Sequence, residues 1–211
     1  MPWDRNLKFE EIDKILKKEI KILATEKELN EMKGKPLPQR TNLYLAYNSI
    51  LFTQLQNGAR ISETIDAIMK FKADAKRKQM VRARKRKHKE KVKDENGKVK
   101  LDEKGNPITK IVGRDVDRLM LIPKEIKASF IDGIDGKTPK QIQNGVGLFA
   151  LNHHNINTHS LRYAFISHYG FKEGVPAHLI SKFIKHTNIN TILNYTREQE
   201  ADDTFEELIM K

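Results

Sequence analysis

The sequence predicts a mainly helical α+β chain with a small antiparallel β-sheet. Three observations carry this. Apolar residues recur at helical spacing on both sides of the chain's middle. Residues 80–87, M-V-R-A-R-K-R-K, alternate at the period of a strand, and Val116–Ile122 forms a second extended run. Between those runs lie two turn signals, Asn96-Gly97 and Gly105-Asn106-Pro107.

Residues 9–32 make the first helix, with Phe9, Ile12, Leu16, Ile20 and Leu23 in one stripe and Ile15 and Ile22 widening it. Gly34, Pro36 and Pro38 end it. A second helix spans residues 40–57, capped by Gly58, and a short one spans Ile61–Met69. The two strands follow, with residues 93–113 as a long polar hairpin tip and no internal repeat. Ile126–Ile131 is a short helix. Thr138 caps the next, with Pro139 at its first position. Thr158 caps a helix that runs from His159 to an end at Gly170, and Pro176 opens another through Leu179, Ile180 and Phe183. A last segment from Asn188 carries Tyr195. The tail from Glu198 to Glu207 holds six acids, with Phe205 and Leu208 nearby.

The 211 residues suit one moderately large domain, or a domain plus an arm. Forty Lys and Arg against 28 Asp and Glu give a net charge of +12, which favours a polyanionic partner, DNA first. A lysine-rich surface of a heat-adapted protein is the plainer account of the same charge. With no cysteine, a disulfide scaffold and a thiolate metal site are excluded. No apolar run approaches a ~20-residue membrane span, and Met1–Leu7 lacks the core of a secretion signal. The expectation is a cytoplasmic or nucleoid-associated protein, in the host cytoplasm if the source is a virus.

Charge is concentrated between Lys76 and Lys93, where eleven of eighteen residues are Lys or Arg and only Glu90 is acidic. Lys76, Arg77, Lys78, Arg82, Arg84, Arg86, Lys89, Lys91 and Lys93 are the expected contacts to DNA phosphates. A second set carries chemistry. Cutting a phosphodiester without a metal needs guanidinium groups on the phosphate, further hydrogen-bond donors, a nucleophile and an acid for the leaving 5′ oxygen. His159-Ser160-Leu161-Arg162 puts an imidazole and a guanidinium three apart on one helix face. His186 closes Ile184-Lys185-His186, Tyr195 lies nine residues beyond, and Gly58-Ala59-Arg60-Ile61-Ser62-Glu63 supplies an Arg at a helix start.

In this order and spacing the chain resembles the tyrosine recombinase (phage integrase) family over roughly residues 40–197, in an archaeal or archaeal-viral style. That family places an Arg in G-x-R-x-S-E, a Lys on a β-hairpin, then H-x-x-R, His or Trp, and Tyr. The resemblance implies the tyrosine-recombinase catalytic fold over residues 39–197, after an N-terminal helix or arm (1–38) and before a tail (198–211) exchanged between subunits. It implies that Tyr195 attacks the scissile phosphate, Arg60 and Arg162 clamp its oxygens, and His159 and His186 donate hydrogen bonds. Glu63 orients Arg60, and a strand Lys protonates the 5′ oxygen. Lys85 is the first choice for that Lys and Lys87 the second. No cofactor and no metal are implied. The partner is double-stranded DNA, bound by a homotetramer. Two departures stand out. Lys185 replaces the glycine usual before the second histidine, which predicts an altered backbone there. The family usually carries a core-binding domain before the catalytic region; the short stretch before it here implies either a fragment or a minimal arm that grips DNA.

Taken singly, these residues are ordinary. A lone Tyr195 is a surface or core tyrosine, His186 a helix cap, Arg60 an ion-pair partner and the basic run a solvated face. His153-His154 is expected in a loop and His168 as a structural residue. Two other functions stay open beside the recombinase: a type IB topoisomerase-like strand transferase, and a non-catalytic DNA-binding module.

Overall fold

The computed structural model describes residues 7–83, 88–95, 97–102, 105–112 and 116–185. They form a mainly helical protein with small antiparallel sheets, in two compact units. Residues up to Val81 and from Arg118 make the larger one, and Arg82–Asp117 the smaller. No helix among the described residues is long and apolar enough to cross a membrane.

The larger unit is built around α2 (Gln39–Asn57). From Leu45 to Asn57 nearly every residue of α2 is buried, as expected of a helix surrounded by others. Two of its buried hydroxyls bond back along the helix: Ser49 Oγ donates to Leu45 O and Thr53 Oγ1 to Ser49 O, each at 2.8 Å. α1 (Phe9–Met32) lays Phe9, Ile12, Leu16 and Ile20 on this core. The expected arm is therefore part of the core, while Ile15 and Ile22 are exposed and do not widen the stripe. His168 stacks on Phe9 at 4.2 Å, with Nδ1 3.1 Å from Glu10 Oε1, and so ties the start of α1 to a segment 158 residues later in the chain.

α3 (Ile61–Asp74) runs five residues past the expected end, because Phe71 is buried and continues the apolar stripe. A 3-10 segment, Ala128–Ile134, replaces the helix expected at Ile126–Ile131. Lys27 and Lys72 hold Asp132 of that segment at 2.9 and 3.1 Å. Burial alone would raise the Asp132 pKa, but the two ammonium groups outweigh it and hold it low.

α4 (Pro139–His154) starts as expected, with Thr138 Oγ1 accepting from Gln141 N at 3.3 Å. His153 and His154 are its last turn and not a loop: one bonds Tyr44 Oη and the other Asn48 Oδ1, both at 3.0 Å. α5 (Thr158–Ser167) is capped by Asn157 and not Thr158, since the Asn157 carboxamide accepts from His159 N at 2.9 Å. It does not stop at Gly170. The chain passes through a π-turn, His168–Lys172, before α6 (Ala177–Ile184).

Strand β1 (Lys78–Ala83) pairs with β4 (Val116–Leu121). In β1 Gln79, Val81 and Ala83 are buried, and in β4 Arg118 and Met120. The smaller unit is not one long hairpin. β2 (His88–Lys91) pairs with β3 (Thr109–Val112), and two further hairpins close through Lys93↔Val99 and Leu101↔Pro107. Val92, Lys100 and Ile108 meet at the junction in a cycle of backbone bonds. Val92 N donates to Ile108 O, Ile108 N to Lys100 O and Lys100 N to Val92 O, at 2.8–2.9 Å. The participants are eight residues apart, so the segment does contain a repeat. Asp94 and Asp102 open its two turns alike, each Oδ1 accepting at 2.8 Å from the backbone N four residues on. Gly97 and Gly105 share a φ of +79°.

Candidate functional site

The C-terminal end of α2 is the anchor of the site. Gln54 Nε2 donates to Ala59 O and to Thr158 O, joining this end to the start of α5. Asn57 pairs with Leu121 as a strand would: Nδ2 donates to Leu121 O at 2.8 Å, and Oδ1 accepts from Leu121 N at 2.9 Å. The sheet and α5 thus meet at one turn of backbone, residues 57–60.

Gly58 makes that turn in the left-handed region, with φ +52°, and a Cβ there would collide with the ring of Phe165. Gly58→Ala should therefore lose about 2–4 kcal/mol, combining left-handed strain with overpacking. Urea unfolding measures it. Unchanged stability would mean that the ring does not sit against this turn.

Three guanidinium groups converge beyond the turn. Arg60 is the N-cap residue of α3, and Glu63 lies three residues into the helix. Glu63 Oε1 accepts from Arg60 Nη1 at 2.8 Å, and Oε2 accepts from Arg60 N at 3.3 Å. The same Oε2 accepts from Arg118 Nη1 at 2.8 Å, across from β4. Arg118 also donates through Nη2 to Asn57 O and lies 5.3 Å from the ring centre of Phe183. Arg162, on α5, donates to Gly58 O at 2.7 Å and to Ile184 O at 3.2 Å. Arg118 and Arg162 are buried, while the Arg60 side chain is 38% exposed and is the member that solvent reaches.

The electrostatics follow from this crowding. Burial, then the like charges of Arg60 and Arg118, bring the Arg162 pKa down to about 10. Burial also lowers that of Arg118, against the pull of Glu63. Both remain cations at neutral pH. Three cations against one carboxylate leave two positive charges uncompensated within the cluster. Such a site is poised for a dianion or a phosphodiester with its transition-state charge.

Of the residues singled out by sequence, Arg60, Glu63 and Arg162 meet here. His159 lies at the start of the Arg162 helix, half-buried, with its ring edge-on to Tyr163 at 4.9 Å. His186, Tyr195, Lys85, Lys87, Arg84 and Arg86 lie outside the described residues. Lys89 lies in β2. Lys76, Lys78, Arg82, Lys91 and Lys93 are exposed. Arg77 is already engaged: its guanidinium donates to Pro123 O and Ile126 O and covers the ring of Phe71. Among the described residues no group of three His, Asp or Glu side chains could hold a metal.

Lys185 keeps the backbone expected of a glycine, with φ +52° and ψ +41°. A residue with a β-carbon is strained in this left-handed conformation. Lys185 follows Ile184, whose carbonyl receives Arg162. Lys185→Gly should raise stability by roughly 0.5–1 kcal/mol, the relieved strain exceeding the entropy gained by the unfolded chain. Thermal unfolding checks this.

Arg118 was missed by sequence reasoning. Its signal is phase: in Val116, Arg118, Met120 and Ile122, a charged residue occupies the apolar register of a strand.

No protein-family model matches the chain. It is 26% identical over 216 residues to an uncharacterized protein of Methanocaldococcus jannaschii, covering 95% of this chain and 86% of that one. It is 27% identical over 207 residues to "Putative integrase ORF241" of Acidianus two-tailed virus, covering 98% of this chain and 68% of that one. A third relative, "Putative integrase V10" of Sputnik virophage, is 27% identical over 165 residues, which are 78% of this chain and 72% of that one.

Proposed function

We propose that this chain cleaves and rejoins DNA as a tyrosine-type site-specific recombinase, with residues 39–197 as a catalytic domain of the tyrosine-recombinase fold. The observation that carries the reading is the cluster of Arg60, Arg118 and Arg162 around the single carboxylate of Glu63, a site with an excess of positive charge. The order of the motifs along the chain and the integrase names of two distant relatives support the same reading.

In this mechanism the Tyr195 Oη attacks the scissile phosphorus while the bond to the 5′ oxygen breaks. The products are a 3′-phosphotyrosine and a free 5′-hydroxyl. Arg60 and Arg162 carry the charge gathering on the non-bridging oxygens. His159 and His186 donate further hydrogen bonds and accept the tyrosine proton. A strand lysine, Lys85 first and Lys87 second, supplies the proton to the 5′ oxygen. The reverse reaction reseals the strand on a 5′-hydroxyl of another duplex. The covalent bond conserves the phosphodiester energy. The exposed lysines at 76, 78, 91 and 93 follow the DNA backbone, and a tetramer on two duplexes would complete an exchange.

The test is a nicked suicide duplex, or supercoiled plasmid where the site is unknown, incubated with the protein in EDTA. A slow-migrating protein–DNA adduct on a denaturing gel is expected. Tight DNA binding without an adduct would leave a DNA-binding module in its place.

A further inference from the structure

We propose that Arg118 is a positioning residue for strand cleavage, acting through Glu63 to aim the guanidinium of Arg60 at the scissile phosphate. The inference rests on the strand-transfer reading above and adds to it a residue outside its motifs.

The first argument is placement. Arg118 is fully buried in β4, in phase with Met120 and Ile122, where an apolar side chain would fit the strand. Its guanidinium makes two bonds, to Glu63 Oε2 and to Asn57 O, and its Nε is buried with no hydrogen-bond partner in the structure. A buried ion pair with an unsatisfied donor is weak as a stabilising device, and well-packed apolar residues usually match it. Stability alone does not account for an arginine here.

The second argument is geometry. A carboxylate beside a single arginine can rotate or take both forks of the guanidinium. Arg118 occupies Glu63 Oε2, together with the Arg60 backbone N, which leaves Oε1 for Arg60 Nη1. Arg60 is thus held at one edge, with the rest of its partly exposed guanidinium directed away from Glu63. The third argument is charge. Arg118 balances Glu63, so Arg60 is not neutralised by its own orienting group.

A positioning role and a purely structural one differ in how mutations combine. The experiment measures single-turnover adduct formation at saturating nicked duplex for wild type, Arg118→Met, Arg60→Ala and the double variant, with DNA Kd and urea unfolding recorded for each. Arg118→Met should slow cleavage about 100-fold, with Kd changed less than about threefold. The double variant should be no slower than Arg60→Ala alone, because Arg118 acts only through Arg60. Arg118→Lys keeps the charge and the fold but offers no fork, and should restore only part of the rate. Arg118→Met with Glu63→Gln removes both charges and should recover stability without recovering the rate.

Losses that multiply in the double variant overturn the proposal, as does an Arg118→Met protein that cleaves like wild type. A rate that recovers together with stability in Arg118→Met with Glu63→Gln overturns it too. If wild type itself forms no adduct, the strand-transfer reading falls, and this inference with it. That outcome is distinct from the others, in which wild type cleaves.

Discussion

Tyr195→Phe is expected to abolish the covalent protein–DNA adduct while leaving DNA affinity within about twofold of wild type. The substitution removes one oxygen. If that oxygen is the nucleophile, no intermediate can form, and nothing else in the sequence supplies a replacement at that spacing. On the proposed reading, affinity rests on phosphate contacts spread over the lysine-rich surface and the arginine cluster, and so should persist. The check is the denaturing gel on nicked duplex in EDTA, with affinity measured in parallel by fluorescence anisotropy. An adduct that survives in Tyr195→Phe would place the nucleophile on another residue.

Arg162→Met is expected to separate activity from stability. Holding a buried arginine whose pKa has come down to about 10 costs on the order of 3 kcal/mol. Removing the guanidinium releases that cost, which already includes its repulsion with Arg60 and Arg118. Against this, the carbonyls of Gly58 and Ile184 lose their donors, at about 1 kcal/mol each and more where no water reaches them. The two effects nearly balance, so the variant should unfold within about 2 kcal/mol of wild type. Cleavage has no such offset. A lost guanidinium at a phosphoryl-transfer site removes about 4 kcal/mol of transition-state stabilisation, a fall of about 10³. Urea melts and single-turnover cleavage together measure both. Cleavage and stability falling in proportion would make Arg162 a scaffold residue only.

How much could be read from the chain depends on where each signal resides. Helix α1 was legible because its apolar positions recur along one face from Phe9 to Leu23; α2, buried on nearly all sides, was legible chiefly from the breakers at its two ends, Pro38 and Gly58. The end of α3 was not, since Lys70 and Lys72 mask the stripe that Phe71 continues. At α5 the cap is decided by one side-chain bond, made by Asn157 and not by the Thr158 that the sequence reading chose. Arg60, Glu63 and Arg162 were legible as motifs, yet their meeting depends on Gln54 and Asn57, whose roles lie in long-range bonds that no local pattern records. Arg118 lay in plain view as a charge in an apolar register, and only its partner on α3 gives it meaning.

The three-armed junction of Val92, Lys100 and Ile108 has a consequence for how the chain folds and varies. Each of its closing bonds joins residues eight or sixteen apart, and the chain enters and leaves it through a directly paired couple, Lys91↔Thr109. Contacts this local close quickly and cost little loop entropy. The bonds that close the junction are all between backbone groups, so a change of side chain at either hairpin tip should leave them in place.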